Sequence, residues 1–359
     1  MRIYLDHNAT SPLKESARQA MLAALALAGN ASSIHAEGRE AHALLDQARD
    51  DVACSLGVVA PMVVFTSGGS EANNLALKGV PAERLVVSAV EHPSVLEAAR
   101  AAGRPVEILP VDGRGLIDLA ALRSLLETGP RALVSVMLAN NETGVVQPVR
   151  EIASLAHAHG ALVHTDAVQA LGKIPVNFGL LAVDLLSVSA HKLGGPIGAG
   201  ALVVRDGLVL APLVHGGGQE LRRRAGTENL AAIAGFAAAA REKRLEIKAL
   251  RDHLERGLEG AVIFGAEAER LPNTSCFALP GLSAETLLMA LDLAGFAVSS
   301  GSACSSGKVA KSHVLAAMGV APALAGAAIR VSLGWTTTAE DVEQFISAWR
   351  RIGARRNAA

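Results

Sequence analysis

The sequence predicts an α/β fold with a mostly parallel sheet, followed by a smaller region of α+β type. Short apolar segments alternate with segments of helical period through the first two-thirds of the chain, which is typical of a parallel sheet covered by helices. After about residue 250 this alternation ends. The chain has 359 residues, half of them hydrophobic, which is enough for two domains. We therefore expect a large domain at residues 13–250 and a small domain formed by residues 1–12 and 251–359.

Short apolar segments predict the strands of the large domain, at residues 63–65, 84–87, 132–137, 161–164, 185–188 and 200–204. Segments of helical period, such as 95–102 and 149–159, lie between them. In a parallel sheet the active site forms at the carboxyl ends of the strands. The polar residues that follow these segments are therefore the first candidates for a functional site.

The last third of the chain predicts a different arrangement of elements. Residues 228–258 are rich in Ala, Glu, Lys and Arg and predict one long helical stretch, with Thr227 as a candidate N-cap. Beyond it we expect strands at 273–279 and 329–333, a small-residue loop at 299–307, and helices at 284–294, at 312–318 and from about 338.

The composition excludes several classes of function. The formal net charge is -1, so no general basic field attracts nucleic acid or an anionic membrane. Aromatic residues make up 3% of the chain, too few for a base-stacking surface. The first residues do not resemble a signal peptide, and the longest uncharged apolar stretch, 230–240, is too short to span a bilayer. We expect a cytoplasmic protein in a reducing compartment.

The three cysteines, Cys54, Cys276 and Cys304, lie far apart in the sequence. An odd, sparse set without a CxxC pair argues against a disulfide framework or a zinc ribbon, so we expect no metal site. Cys54 falls in a helical pattern and Cys276 in a strand pattern, and both are expected to be buried small hydrophobic residues.

Lys192 is the first candidate for a chemical role. It follows the predicted strand 185–188 in the segment SVSAHKLGGP, residues 187–196. A lysine at a strand end among small residues can be partly desolvated, and its neutral amine is then a nucleophile for Schiff-base chemistry. The alternative is an ordinary solvated surface charge.

Two other segments fit a cofactor that needs such a lysine. Asp166 lies at the end of the predicted strand 161–164, where it either caps the next helix or faces a cationic ring nitrogen. The glycines and serine of 66–74 either form a structural turn or bind a phosphate at a helix N-terminus. A pyridoxal phosphate enzyme needs both a lysine amine and a carboxylate that keeps the pyridine nitrogen protonated.

These segments resemble the class V aminotransferase group of fold-type I pyridoxal phosphate enzymes. Further motifs are similar to those of cysteine desulfurases of the NifS/IscS type, group I: LDHNATSP at 5–12, GNASSIH at 29–35, ANNETG at 139–144, RAGTEN at 224–229 and SSGSACSSG at 299–307. The resemblance runs from residue 4 to about 345. It implies a large domain with a mostly parallel seven-stranded sheet and a smaller α+β domain.

The resemblance also implies roles for single residues. Lys192 would hold the cofactor aldehyde covalently, Asp166 would pair with the pyridine nitrogen, and His92 would stack on the ring and shuttle protons. Arg330 would bind the substrate carboxylate, with Asn141 beside it. The other implied cofactor contacts are Asn141 and Gln169 near the phenolic oxygen, Gly69, Ser70, Ser189 and His191 at the phosphate, and Thr227 at the phosphate of the partner subunit. The last contact implies a homodimer with shared active sites.

Cys304 decides the reaction within this superfamily. The resemblance implies that its thiolate attacks the sulfur of cofactor-bound L-cysteine, which leaves a persulfide on Cys304 and releases alanine. The long loop of group I enzymes further implies a protein sulfur acceptor, such as an iron–sulfur scaffold or a sulfur-relay protein, in iron–sulfur cluster assembly or in thiolation of tRNA or cofactors. Without the other motifs, Cys304 would be an incidental cysteine in a Ser/Gly connector.

Two other functions stay open at this point. The first is a selenocysteine lyase or another class V reaction such as transamination, and the second is a catalytically silent partner in sulfur assembly. The chain also departs from the family pattern at several positions. Leu221 and Arg222 stand where an arginine and a glycine are common, and Ser70 stands where threonine is common.

Overall fold

The computed structural model describes residues 2–243, 246–300 and 311–358. Its helices are α1 (Glu15–Leu25), α2 (Ala36–Leu56), α3 (Gly69–Gly79), α4 (Pro93–Arg100), α5 (Leu119–Glu127), α6 (Val149–Ala158), α7 (Phe178–Leu181), α8 (Leu230–Ala240), α9 (Lys248–Gly257), α10 (Ala284–Leu293), α11 (His313–Ala317), α12 (Pro322–Ala325) and α13 (Ala339–Ala358). Among the described residues, no helix has the length and apolar character needed to cross a bilayer.

The larger sheet has seven strands and is mostly parallel, as the resemblance implies. In spatial order they are β2 (Val63–Thr66), β8 (Gly200–Val204), β7 (Leu185–Ser189), β6 (Leu162–Asp166), β5 (Ala132–Ser135), β3 (Arg84–Ser88) and β4 (Val106–Leu109). Only β8 runs antiparallel to its neighbours, β2 and β7. The carboxyl ends of the other six strands therefore meet at one edge of the sheet.

A smaller sheet is formed mainly by the last third of the chain. Its order is β12 (Ser299–Ser300), β13 (Ala328–Ser332), β10 (Thr274–Ala278) and β9 (Val262–Ile263), with antiparallel pairing throughout. The N-terminal strand β1 (Ile3–Tyr4) pairs in parallel with β11 (Phe296–Ala297).

Helices α3 and α4 pack on one face of the seven-stranded sheet, and two further hydrophobic cores are formed by its other face and by the smaller sheet. One packs α2, α5, α6 and α8 against the seven-stranded sheet, and the other joins Leu5 of the N-terminal segment with Phe277, Ile329 and Trp349. N-terminal and C-terminal residues therefore share one core. The domain boundaries at residues 12 and 250 stay a prediction.

The prediction of one helical stretch over 228–258 was wrong, because the structure has two separate helices there. The first, α8, packs Phe236 into the core of the large sheet, whereas α9 packs Leu254 into the core of the smaller sheet. A single straight helix cannot serve both cores. The predicted N-cap was also wrong, since the side chain of Asn229 rather than Thr227 accepts the hydrogen bond from Ala232 N.

The two described cysteines differ in burial. Cys276 is fully buried on β10, which confirms that prediction, but Cys54 is exposed, so the prediction of burial was wrong there. The buried side of α2 includes Leu45, Val52 and Leu56. Cys54 is two residues after Val52 and so points about 200° away around the helix, toward solvent.

The segment with two family departures has a strained backbone. Glu220, Leu221 and Arg222 have φ values of 45°, 56° and 63°, in the left-handed region that favours glycine. The carboxylate of Glu220 is buried and accepts hydrogen bonds from both terminal nitrogens of Arg49 and from Phe65 N. This anchor holds the strained turn, and the glycine common at position 222 in the family would fit it with less strain.

We expect Gly200→Ala to destabilise the protein by about 1–3 kcal/mol. A Cβ at Gly200 would lie 2.7 Å from the backbone of Gly68 and 2.7 Å from Val188 O, and neither backbone can yield freely. Gly218→Ala is the matched control because nothing lies within 4 Å of its added Cβ. Urea unfolding of both variants measures the difference, and equal stability of the two would contradict the close approach of β8 to residue 68.

Candidate active site

A cavity of about 580 Å³ opens at the carboxyl edge of the large sheet. It lies between this edge and Arg330 on strand β13 of the smaller sheet. The predicted site residues that line it are Gly69, Ser70, His92, Asn141, Asp166, Gln169, Ser189, His191, Lys192 and Arg330. Residues from both sheets and from distant parts of the sequence therefore share one cavity.

One predicted site residue that the structure describes does not line this cavity. Thr227 is exposed and does not line it. Its expected role is at the active site of the partner subunit, which a single chain does not test. Cys304 lies outside the described residues.

Lys192 is placed by the end of strand β7. The chain leaves β7 at Ser189, makes one 3-10 turn over Ala190–Lys192, and turns again at Gly194, whose φ of 89° suits glycine. The Lys192 amine donates hydrogen bonds to the backbone oxygens of Asn8 and Ala9, each at 2.7 Å. The N-terminal segment thus holds the amine at the cavity wall.

Asp166 is the last residue of strand β6 and is buried. One of its carboxylate oxygens accepts from Val168 N at 2.9 Å, and the other accepts from Nδ2 of Asn73 at 2.7 Å. Burial raises the pKa of this carboxyl, and these hydrogen bonds lower it in part. A cationic ring nitrogen in the cavity would offset the remaining cost of burying the negative charge.

The N-terminus of α3 provides a cradle for a phosphate. Gly68 has a φ of 152°, and Gly69 and Ser70 open the helix with backbone N–H groups that the helix leaves without internal partners. Added Cβ atoms would meet Val168 at Gly69 and the Gly68 backbone at Gly200, each at 2.7 Å. The small residues therefore keep this corner of the cavity open.

His92 is the N-cap of α4 and lines the cavity at the same time. Its Nδ1 accepts a hydrogen bond from Ser94 N at 3.1 Å, so the ring proton of the neutral form lies on Nε2. Burial lowers the pKa of His92, with the Lys192 amine acting in the same direction and Asp166 opposing it. The imidazole is therefore neutral near pH 7 and can accept or return a proton.

Arg330 is buried on strand β13 and is held by two neighbours. One terminal nitrogen donates to Asp6 Oδ1 and the other donates to the backbone oxygen of Asn141, each at 2.8 Å. Within the described part of the chain, its Nε has no hydrogen-bond partner although it is buried. A buried guanidinium nitrogen without a partner is costly, and Arg330 also lines the cavity, where a guanidinium suits a carboxylate ligand.

Several residues at this site were missed by the sequence analysis. Asn8 carries the backbone oxygen that receives the Lys192 amine, Asn73 orients Asp166, and Asp6 holds Arg330. Asp6 and Asn8 belong to the quoted motif at 5–12 and Asn73 to the segment 66–74, so motif membership was the one signal available. The cavity is also lined by Glu142, Lys311 and His313.

The donor set fits pyridoxal phosphate, the cofactor that the resemblance implies. It combines a lysine amine, a buried carboxylate, a histidine and a glycine-lined helix N-terminus in one cavity. Asn73 also has a buried side-chain oxygen without a partner among the described residues. The amine suits the aldehyde of the cofactor, the carboxylate suits its pyridine nitrogen, and the helix N-terminus suits its phosphate.

Comparisons with known proteins give the same family. Residues 3–345 match the family described as aminotransferase class-V. A cysteine desulfurase IscS of Dictyoglomus turgidum is 41% identical over 371 residues, which cover 98% of this chain and 94% of that protein. A cysteine desulfurase of Cereibacter sphaeroides is 45% identical over 366 residues, covering 96% of this chain and 94% of its own length.

Solved structures are similar over almost the whole fold. A NifS-like protein from Rickettsia africae has a TM-score of 0.91 and 36% identity, and the match covers 99% of this chain and 100% of that one. SspA in complex with cysteine has a TM-score of 0.83 and 32% identity, with 93% of this chain and 99% of that one covered. Enzymes of this family depend on pyridoxal phosphate. The chain therefore belongs to the aminotransferase class-V family and, within it, to the cysteine desulfurases of the NifS/IscS type.

Proposed function

We propose that this protein is a pyridoxal phosphate-dependent cysteine desulfurase that converts L-cysteine to L-alanine and transfers the sulfur to Cys304. The observation that carries the proposal is the cavity in which Lys192, Asp166 and Arg330 meet. A lysine and a carboxylate alone would fit many pyridoxal phosphate enzymes. A buried arginine at the cavity wall adds an amino acid carboxylate to the ligand set.

The cofactor would be held by the residues at the carboxyl edge of the sheet. Lys192 would bind its aldehyde, Asp166 its pyridine nitrogen, and Gly69, Ser70, Ser189 and His191 its phosphate, with Gln169 and Asn141 near the phenolic oxygen. When bound, pyridoxal phosphate supplies an electron sink next to the substrate Cα. Burial, together with the nearby Lys192 and Lys173, lowers the pKa of His191 to about 4.

The protein residues then position the substrate and move protons. Arg330 would bind the carboxylate of L-cysteine, with Asn141 beside it, and this fixes the direction in which the thiol points. Lys192 Nζ would take the proton from Cα. His92, neutral and protonated at Nε2, would exchange protons at the substrate.

The sulfur step conserves atoms and electrons without a further reagent. The bond between the substrate sulfur and Cβ breaks, and a bond between that sulfur and Cys304 Sγ forms. The hydrogen of the Cys304 thiol ends on the alanine methyl group, so a thiol and L-cysteine give a persulfide and L-alanine. A protein acceptor of the iron–sulfur scaffold or sulfur-relay kind would then receive the sulfur.

We also propose a cytoplasmic homodimer in which each subunit contributes to the site of the other. The exposed position of Thr227, outside the cavity of its own chain, supports this assignment. Exposed apolar side chains at Leu25, Ile34 and Ile197 supply surface that a second subunit would bury. Sedimentation of the purified protein gives the mass that tests it.

The test of the proposed function is product analysis with purified protein. Incubation with L-cysteine should give alanine, a visible band near ~420 nm should report the cofactor, and the intact protein should gain the mass of one sulfur atom. Alanine from L-selenocysteine but not from L-cysteine would favour the selenocysteine lyase. A 2-oxo acid that keeps the sulfur, formed with the cofactor bound, would favour another class V reaction such as transamination. The absence of both cofactor and product would favour the silent partner.

We expect Arg330→Ala to raise the KM for L-cysteine at least about tenfold, the value of one hydrogen bond to a charged group. The substrate carboxylate would lose its charged donor, whereas Lys192 and His92 would still act on the reacting atoms. The decrease in kcat should therefore be smaller than the increase in KM. Arg350→Ala is the control because that side chain is 57% exposed and distant from the cavity. Steady-state kinetics of both variants gives the comparison, and an unchanged KM for Arg330→Ala would assign the carboxylate to another residue.

A further inference from the structure

Lys173 is a buried lysine behind the active-site cavity, in the turn that follows strand β6. Its amine donates to Oε1 of Gln169 and to Oδ1 of Asn8, each at 2.7 Å. No ion pair within the described residues involves Lys173. Burial and the nearby charges of Lys192 and Arg330 hold its pKa well below the usual range. No motif in the sequence assigns a role to this lysine.

The local chain geometry explains why Lys173 meets Gln169. Residues 167–174 form two successive turns, in which Leu171 N donates to Ala167 O and Ile174 N donates to Ala170 O. These turns fold the chain back, so that the Lys173 amine reaches Gln169 Oε1. The turn is closed by Gly172, whose φ of 80° favours glycine. Lys173 is therefore buried on the side of Gln169 that faces away from the cavity, and it is not exposed to solvent.

The contacts of Gln169 decide which end of its amide faces the cavity. The oxygen and nitrogen of an amide have nearly the same shape, so their partners must assign them. A lysine amine has N–H groups to donate, so the atom against it is the oxygen. Nε2 donates to the backbone oxygen of Asn8 at 2.9 Å, and a carbonyl oxygen only accepts. Both contacts give the same orientation of the amide. One N–H of Nε2 is used by Asn8, so the second N–H remains to donate to a ligand in the cavity that Gln169 lines.

We propose that Lys173 is a positioning residue that keeps the Gln169 amide turned with an N–H toward the cavity, so that the site selects a negatively charged oxygen on its ligand. This inference rests on the proposed function, in which that oxygen is the phenolic oxygen of pyridoxal phosphate. Both the neutral and the protonated amine have N–H groups for two acceptors, so the orientation does not depend on the protonation state of Lys173.

A purely electrostatic role makes a different prediction. The charge of Lys173 is close enough to interact with Lys192, and a change in that charge would alter the binding of any aldehyde. The orientation of Gln169 instead affects only ligands that carry an oxygen at the phenolic position. Two ligands that differ in this one group therefore separate the two roles.

The experiment compares the affinity of the apoprotein for pyridoxal phosphate and for its 3-deoxy analogue, which lacks the phenolic oxygen, by equilibrium dialysis. The preference is the ratio of the two dissociation constants. In Lys173→Met, a side chain of similar length without donors, the preference should fall about tenfold, as for the loss of one hydrogen bond to a charged acceptor. Binding of the analogue should change less than about threefold. Gln169→Ala should lose the same preference, and the double variant should lose no more than either single variant.

Gln169→Glu tests the orientation with Lys173 in place, in case Lys173→Met does not fold by circular dichroism. Its second oxygen would replace the N–H that faces the cavity, so its preference should fall below that of Gln169→Ala. An unchanged preference in Lys173→Met or in Gln169→Glu overturns the inference, as do additive losses in the double variant. Wild-type protein that binds neither compound overturns the proposed function instead.

Discussion

Lys192→Ala should lower the rate of alanine formation from L-cysteine by at least about 10³-fold, within the range of a positioned proton-transfer group. The wild-type amine is held at the cavity wall by the backbone oxygens of Asn8 and Ala9. No other described lysine amine combines a place in the cavity lining with hydrogen bonds to this segment: Lys311 lines the cavity, and Lys173 lies behind it. The variant therefore removes both the proposed covalent attachment of the cofactor and the base at Cα.

Borohydride reduction followed by peptide mass spectrometry measures the attachment directly. The wild-type protein should carry the cofactor mass on the Lys192 peptide, and the variant should not carry it elsewhere. Lys248→Ala is the matched control, because Lys248 is 69% exposed and pairs with Asp252 at the surface. Unchanged alanine formation by Lys192→Ala, or cofactor attached to a different lysine, would contradict the role of Lys192.

The sequence predicted the parts of the site that lie at strand ends. Asp166 and Lys192 follow buried apolar segments, and parallel strands bring such positions to one edge without any further information. The glycines of 66–74 were predictable for a similar reason, since a strand followed by small residues and a helix leaves N–H groups for an anion. These features depend on residues that are close together in the sequence, so short sequence patterns are enough to predict them.

The contacts between distant segments could not be predicted in this way. The hydrogen bond from Arg330 to Asp6 joins residues 324 positions apart, and the one from Lys173 to Asn8 joins residues 165 apart. No periodicity relates such positions. The residues that hold the cavity-lining side chains in place, such as Asp6 and Lys173, could therefore be identified only from the structure. The same limit explains why the break between α8 and α9 was missed, because it depends on which of two cores each helix joins.

The exposed face of α2 shows a different kind of error. The helical pattern around Cys54 was confirmed, but Cys54 was assigned to a buried position from the general preference of cysteine. The spacing of Leu45, Val52 and Leu56 defines the buried side, and position 54 lies opposite to it. On this helix, periodicity is thus a better guide to burial than residue type. The burial of each cysteine bears on which of them can carry the sulfur.

The environments of the other cysteines leave Cys304 as the expected sulfur carrier. Cys276 is fully buried on β10, and burial together with the negative charge of Glu142 raises the pKa of its thiol, so it stays protonated and unreactive. Cys54 is exposed but lies on α2, which does not line the cavity. Neither can meet the sulfur of a substrate bound between Lys192 and Arg330.

Cys304→Ser should therefore abolish persulfide formation while it keeps the cofactor, because every proposed cofactor contact is unchanged. Turnover of L-cysteine to alanine should fall at least about 10²-fold, since a hydroxyl at pH 7 is a much weaker nucleophile than a thiol. Cys54→Ser and Cys276→Ser are the matched controls. Mass spectrometry after addition of L-cysteine without reductant should place one added sulfur atom on the Cys304 peptide in the wild type and in both controls. Sulfur on the Cys54 peptide, or normal alanine formation by Cys304→Ser, would remove Cys304 from the mechanism and assign the sulfur to another thiol.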